Sequence, residues 1–159
     1  MAHASGEAGI LLAIAAGVDS IEHGYYMTTG QLERMREKGI AWVPTVAPIG
    51  NLLKYPTDRY SSHEIDTLKR ILETQLAKIH QAYQLNVRLG VGTDSGAYQV
   101  PHADGLYDEM DWMVKAGIPK VEVYRMATQQ NAQILGISEL GRLDVGTPMC
   151  LLQLVNELV

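Results

Sequence analysis

The chain alternates short apolar segments with longer segments of helical periodicity, and this alternation limits its possible folds more than any other feature. Strands are predicted at 19–23, 40–46, 87–94 and 148–155, and a strand stub ends at His3. Helices are predicted over 5–17, 28–39, 62–86, 104–117 and 119–136, with a loop over 47–61. Strands that alternate with helices favour an α/β fold with a parallel sheet.

Composition narrows the class of protein. The 159 residues are enough for one domain with a hydrophobic core. A net charge of −5 without a basic cluster argues against nucleic-acid binding. No apolar run approaches the roughly 18 residues that cross a membrane, and no basic flank marks a signal peptide, so neither is predicted. The single cysteine, Cys150, fits a reducing compartment, which predicts a cytoplasmic protein, and we expect its side chain to be buried.

Three residues of metal-ligating types stand at the ends of predicted strands. The stub ends at His3, the strand 19–23 ends at His23, and the strand 87–94 ends at Asp94. Each has an ordinary structural explanation, since a histidine often hydrogen-bonds in the core and an aspartate often caps a turn. The carboxyl ends of parallel strands share one edge of the sheet, where ligands collect. Imidazole and carboxylate groups bind Zn²⁺ and similar ions, so the shared position favours a metal site.

Four longer stretches carry a family resemblance. They are AHASGEAGILLAIAAGVDSIEHG (2–24), WVPTV (42–46), LGVGTDSG (89–96) and EMDWMVKAGIPKVEVYRMATQQNAQILGI (109–137). In this order and spacing they resemble the amidohydrolase superfamily, in the branch that contains imidazolonepropionases and prolidases. The resemblance covers nearly the whole chain.

The resemblance implies a fold and a chemistry. The fold is a parallel (β/α)₈ barrel of the TIM type, with a metal centre at the carboxyl ends of its strands. The matching motif positions make His3, His23 and Asp94 metal ligands and give Asp94 a second role as general base. The implied reaction is hydrolysis of a C–N bond in a small molecule, a cyclic amide or a dipeptide-like compound, by water that a divalent metal, expected to be zinc, activates.

The resemblance also implies that the chain corresponds to the C-terminal half of the barrel, strands five to eight. The His-x-His motif of strand one and the ligand of strand four have no counterpart here. Residues 1–140 are then the half-barrel, and 141–159 are a tail similar to the strand that returns to a small β-domain. We expect a partner, either further copies in a homo-oligomer or a complementing N-terminal half. The alternative is a catalytically incomplete half-barrel that is stable only as an oligomer.

Three further residues near these motifs receive predicted roles. His102 lies on the loop after Asp94, which covers the substrate in relatives, and is predicted to contact substrate. Tyr25 follows His23 closely and is predicted to line the substrate pocket, although packing against the next helix is the alternative. Glu109 is predicted to be structural rather than catalytic.

Overall fold

A parallel sheet forms the centre of the molecule. The computed structural model describes residues 1–55 and 57–150, and within them the strands are β1 (Ala2–Ala4), β2 (Ser20–His23) and β3 (Ala41–Val43). They pair in the order β1-β2-β3, all parallel, with Ala4 opposite His23. The predicted parallel α/β fold is confirmed. With three strands in the described part of the chain, the half-barrel and its boundary at 140 stay predictions.

Helices follow the strands and cover the sheet. They are α1 (Glu7–Ala16), α2 (Thr29–Lys38), α3 (Ala47–Lys54), α4 (Ser62–Gln84), α5 (Asp104–Lys115), α6 (Lys120–Arg125), a π-helical turn (Met126–Gln130) and α7 (Asn131–Ile134). Local sequence explains where α2 and α4 begin, because Thr28 with Gln31 and Ser61 with Glu64 form capping boxes. The boundaries of the five helices predicted from sequence all agree with the structure within two residues, except that the last helix is divided by the π-helical turn.

The segment 47–61 was predicted to be a loop, and this was wrong for its first half, which forms α3. No side chain near the start of α3 caps it. Instead the carboxylate of Glu109, on α5, accepts hydrogen bonds from the backbone N–H groups of Val46 (3.0 Å) and Ala47 (2.7 Å). A residue more than sixty positions away therefore satisfies the first N–H groups of the helix, which local sequence cannot reveal.

The strand predicted at 87–94 was also wrong in extent, since only a bridge between Leu89 and Trp42 forms there. Trp42 donates its N–H to the carbonyl of Arg88 (2.8 Å) and accepts from Gly90 (2.9 Å). One residue beyond, the side chain of Asn131 binds both the N–H (3.0 Å) and the carbonyl (2.8 Å) of Val91. This side chain binds the edge that faces away from β3, where a further strand would lie. The ladder with β3 stops because its next donor would be Pro44, which has no N–H.

The core lies between the sheet and its helices. Its fully buried large side chains include Ile10, Ile21, Leu32, Trp42, Ile79, Leu89 and Met113. No helix in the ranges 1–55 and 57–150 is both long and apolar enough to cross a membrane.

The tail beyond 140 differs from the sequence-based expectation in its described part. Residues 141–150 contain no strand, and residues 151–155 of the predicted last strand lie outside the described residues. Cys150 is exposed rather than buried, because no core element packs on it. The resemblance of the whole tail to a return strand stays a prediction.

Two helical glycines provide a test of the packing of α3. A methyl group at Gly50 would lie 2.5 Å from Nε1 of Trp112, whose indole donates to Asn51 Oδ1 (3.1 Å) and so has little room to shift. At Gly30 in α2 the same methyl group meets nothing within 4 Å. We expect Gly50→Ala to lower the free energy of unfolding by about 1–3 kcal/mol, and Gly30→Ala to raise it by up to about 1 kcal/mol. Urea unfolding of both variants checks this, and equal effects would contradict the packing described.

Candidate active site

The structure brings His3 and His23 together. His23 is the last residue of β2, and His3 lies in the neighbouring strand β1, which continues one residue further than predicted, to Ala4. Their ring centroids are 4.1 Å apart in an edge-to-face arrangement. His23 is buried, with 7% of its surface exposed, whereas His3 is exposed. The pair therefore presents one imidazole to solvent and one to the interior at the same edge of the sheet.

The hydrogen bonds of Thr45 assign the tautomer of His23. The hydroxyl of Thr45 donates its proton to the carbonyl of Pro44 (2.8 Å), so toward His23 it acts as an acceptor. Nδ1 of His23 lies 2.7 Å from that hydroxyl oxygen, and we assign the ring proton to Nδ1 because this completes the hydrogen-bond network. Nε2 then carries a free lone pair. A second partner that fixes the ring in this way is the usual support of a metal-binding histidine.

The pKa of His23 is lowered from its ordinary value, which keeps the ring neutral. Burial is the largest cause, and the nearby His3 ring acts in the same direction, while the negative charge of Asp94 opposes both. Near neutral pH the Nε2 lone pair is therefore available rather than protonated.

Asp94 lies within electrostatic range of His23 and is exposed on the turn that follows the bridge at Leu89. Across the described ranges, no three His, Cys, Asp or Glu side chains come together closely enough to hold a metal ion. The structure thus pairs the two histidines but does not close a three-residue metal site around them. The assignment of His3, His23 and Asp94 as metal ligands stays a prediction.

Three of the six non-glycine residues with a positive φ in the described ranges lie at or just after these strand ends. His23, Thr45 and Asp94 have φ values of 71°, 49° and 54°, in the left-handed region that side chains other than glycine rarely adopt. Such a conformation costs roughly 1–3 kcal/mol per residue and persists only where the surrounding structure enforces it.

The indole of Trp42 enforces the conformation of His23. Its Nε1 donates to the carbonyl of His23 (3.0 Å), and the next residue, Gly24, has φ 60°. A Cβ at Gly24 would lie 2.7 Å from Nε1 of Trp42, so only glycine permits this approach.

The two residues predicted to contact substrate lie in different settings. Tyr25 has its ring 5.8 Å from that of His23 and donates to the carbonyl of Thr45 (3.4 Å), and burial raises the pKa of its hydroxyl. It also lines a cavity of about 310 Å³ together with Tyr26, Thr67, Arg70, Ile71 and Thr74. His102 is exposed on the loop before α5, and no contact within the described residues joins its side chain to the two histidines. Substrate binding by either residue stays a prediction.

The model of the amidohydrolase family matches residues 1–155 of this chain. The chain belongs to the amidohydrolase family. The resemblance seen in the sequence motifs is therefore confirmed.

Comparison with individual proteins agrees with this assignment. The chain is 33% identical to the ochratoxinase of Aspergillus niger over 94 residues, which are 59% of this chain and 20% of that protein. The crystal structure of that ochratoxinase aligns with a TM-score of 0.77 at 27% identity, over 91% of this chain and 33% of the other. The crystal structure of a Xaa-Pro dipeptidase with methionine bound in its active site aligns with a TM-score of 0.76 at 30% identity, over 91% of this chain and 36% of the dipeptidase chain. The chain thus spans between a fifth and about a third of the length of these relatives.

The sequence pattern does not reveal the two residues that surround the ring of His23 and its neighbouring backbone. It places Thr45 within the predicted strand 40–46 and predicts a structural role for Glu109, but it shows no partner for either residue. Pro44 and Pro48 did indicate an irregular backbone around Thr45. Nothing in the local sequence connects that segment to Glu109, because the two meet only in the folded chain.

Glu109 should make stability depend on pH. Its side chain is fully buried, and desolvation raises its pKa from 4.5 to about 7 despite the hydrogen bonds from Val46 and Ala47. Between these values the folded state keeps a proton that the unfolded state has lost, so stability falls as pH rises.

The quantity to compare is the difference in free energy of unfolding between the wild type and Glu109→Gln. We expect this difference to decrease as the pH rises from 4.5 to about 7, by up to about 1.4 kcal/mol per pH unit. Denaturant titrations at several pH values measure this difference, in which other titrating groups cancel. A difference that does not change with pH would show that Glu109 does not titrate as described.

Proposed function

We propose that this chain forms part of the active site of a metal-dependent hydrolase that cleaves a C–N bond of a small-molecule amide. One observation carries the proposal: the buried His23 is held with its Nε2 lone pair free, beside His3 at the carboxyl edge of a parallel sheet. Family membership supports the reaction type. Similarity to an ochratoxinase and to a Xaa-Pro dipeptidase supports a dipeptide-like or cyclic amide as substrate.

The donor chemistry of the strand ends fits a divalent cation, and zinc is the proposed metal. His3 and His23 would hold it through imidazole nitrogens, and Asp94 through its carboxylate, all of which suit Zn²⁺. When bound, such an ion lowers the pKa of water and polarises a carbonyl. Because the described residues bring only the two histidines together, we propose that a second copy of the chain or a complementing N-terminal half completes the site. A cytoplasmic location is also a proposal.

The residues of the chain have separate tasks in this reaction. Asp94 accepts a proton on its carboxylate from the attacking water and returns it to the leaving nitrogen as the C–N bond breaks. The products are a carboxylic acid and an amine, so one water molecule is consumed and the carboxylate of Asp94 is regenerated. Tyr25 contacts the substrate from the side of His23, and His102 contacts it from the loop before α5.

Substitution of Asp94 tests this assignment. With zinc added, we expect the wild type to hydrolyse N-acyl amino acids or dipeptides, and Asp94→Asn to lower kcat by about 100-fold or more because the general base is lost. Because Asp94 is exposed, the thermal midpoint should change little. His23→Ala should lose bound zinc, which metal analysis measures. His63→Ala, at an exposed position on α4, is the matched control and should keep both properties.

The alternative of an incomplete module makes the opposite prediction. A wild-type chain that binds no zinc, hydrolyses none of these amides and has a mass and stability that depend on concentration would refute a site completed by a second copy and support an oligomeric, inactive module. Mass determination in solution should therefore accompany the metal analysis.

A further inference from the structure

We propose that Glu109 is a positioning residue of this site, because it holds Thr45 in the conformation that fixes the tautomer of His23. Glu109 lies on α5 and contacts neither histidine directly in the hydrogen-bond pattern of the described residues. Its effect on catalysis rests on the proposed function, whereas its effect on the tautomer can be measured without any activity.

The first step is the bond between Glu109 and the segment that follows Thr45. Each carboxylate oxygen accepts one backbone N–H, Oε1 from Val46 (3.0 Å) and Oε2 from Ala47 (2.7 Å). Glu109 has no exposed surface, so no water can replace these bonds easily. Two charge-assisted bonds from one carboxylate fix both the position and the direction of this backbone.

The second step is a matching bond on the other side of Thr45. The buried amide of Gln75, on α4, donates from Nε2 to the carbonyl of Pro44 (2.8 Å). The backbone is therefore fixed on both sides of Thr45. A hydrogen bond from α4 fixes the preceding carbonyl, and hydrogen bonds to α5 fix the N–H groups that follow. This arrangement explains how a β-branched residue keeps a φ of 49°.

The third step leads from Thr45 to His23. The fixed backbone places the threonine hydroxyl where it donates to Pro44 and accepts from Nδ1 of His23 (2.7 Å). If the backbone relaxed toward an ordinary φ, the hydroxyl would turn away from the ring. His23 would then lose its Nδ1 partner, and a proton on Nε2 would block the lone pair that faces the site.

A neighbouring carboxylate provides a matched control. Asp108 precedes Glu109 on α5, is also buried, and binds Asn51 (2.7 Å) and Lys54 (2.5 Å) near the end of α3. Its loss should loosen the contact between α3 and α5 without touching the peptide groups around Thr45. A purely structural role of Glu109 would resemble that of Asp108.

The experiment reads the tautomer by NMR. Long-range ¹H–¹⁵N spectra of the ¹⁵N-labelled chain, at roughly pH 8 and without added metal, show which imidazole nitrogen carries the proton, and His23→Gln assigns the signals. We expect Nδ1–H in the wild type. In Glu109→Gln, which loses one acceptor, the ratio of Nε2–H to Nδ1–H should rise about tenfold. This is the lower end of the change in metal affinity or activity when partners of metal-binding histidines are substituted. Asp108→Asn should keep the wild-type ratio.

Two further variants keep the test decisive. Thr45→Val removes the acceptor and must shift the tautomer, while Thr45→Ser keeps the hydroxyl and should preserve it. If Glu109→Gln does not fold, Gln75→Met, which releases the other side of Thr45, should shift the ratio in the same direction. An unchanged ratio in folded Glu109→Gln, an equal shift in Asp108→Asn, or no shift in Thr45→Val would overturn the inference. A shifted ratio without zinc binding or hydrolysis by the wild type would count against a site completed by a second copy and leave the positioning role intact.

Discussion

The interactions of Trp42 hold the sheet and the candidate site together. Its backbone lies in β3 and bonds to both Arg88 and Gly90, so it connects the sheet to the segment that leads to Asp94. Its fully buried indole reaches across to the carbonyl of His23. One residue thus sets the spacing of β2, β3 and the following segment. The close approach of its ring to Gly24 leaves that part of the backbone little freedom, so the edge of the sheet is rigid where the histidines stand.

Beyond this edge, side chains from distant helices, rather than regular secondary structure, provide hydrogen-bond partners for backbone N–H and C=O groups. Glu109 supplies acceptors to the first N–H groups of α3, and Asn131 supplies a donor and an acceptor to Val91. Buried backbone groups need partners, and a side chain that provides them from another element fixes the local path of the chain. These side chains come from α5 and α7, so the later helices determine the shape of earlier loops.

The difference between hydrogen-bond partners that are near in sequence and partners that are distant explains which features could be predicted from sequence. The starts of α2 and α4 were predictable because Thr28 and Ser61 cap their own helices through residues three positions away. The meeting of His3 and His23 followed from their place at the ends of parallel strands. The helix α3 was not predictable, because its first N–H groups bond to a residue more than sixty positions away. The same separation hid the role of Thr45.

The strained positions themselves argue that their side chains are needed. Glycine adopts a positive φ without steric cost, and the chain uses it in this way at Gly24, directly after His23. At His23, Thr45 and Asp94 the chain instead places side chains in the same backbone region, at a cost of roughly 1–3 kcal/mol each. Histidine and aspartate adopt this region more readily than most residues, so the strain is greatest at Thr45, which is β-branched. A glycine at this position would avoid the strain but would lack the hydroxyl that lies 2.7 Å from Nδ1 of His23.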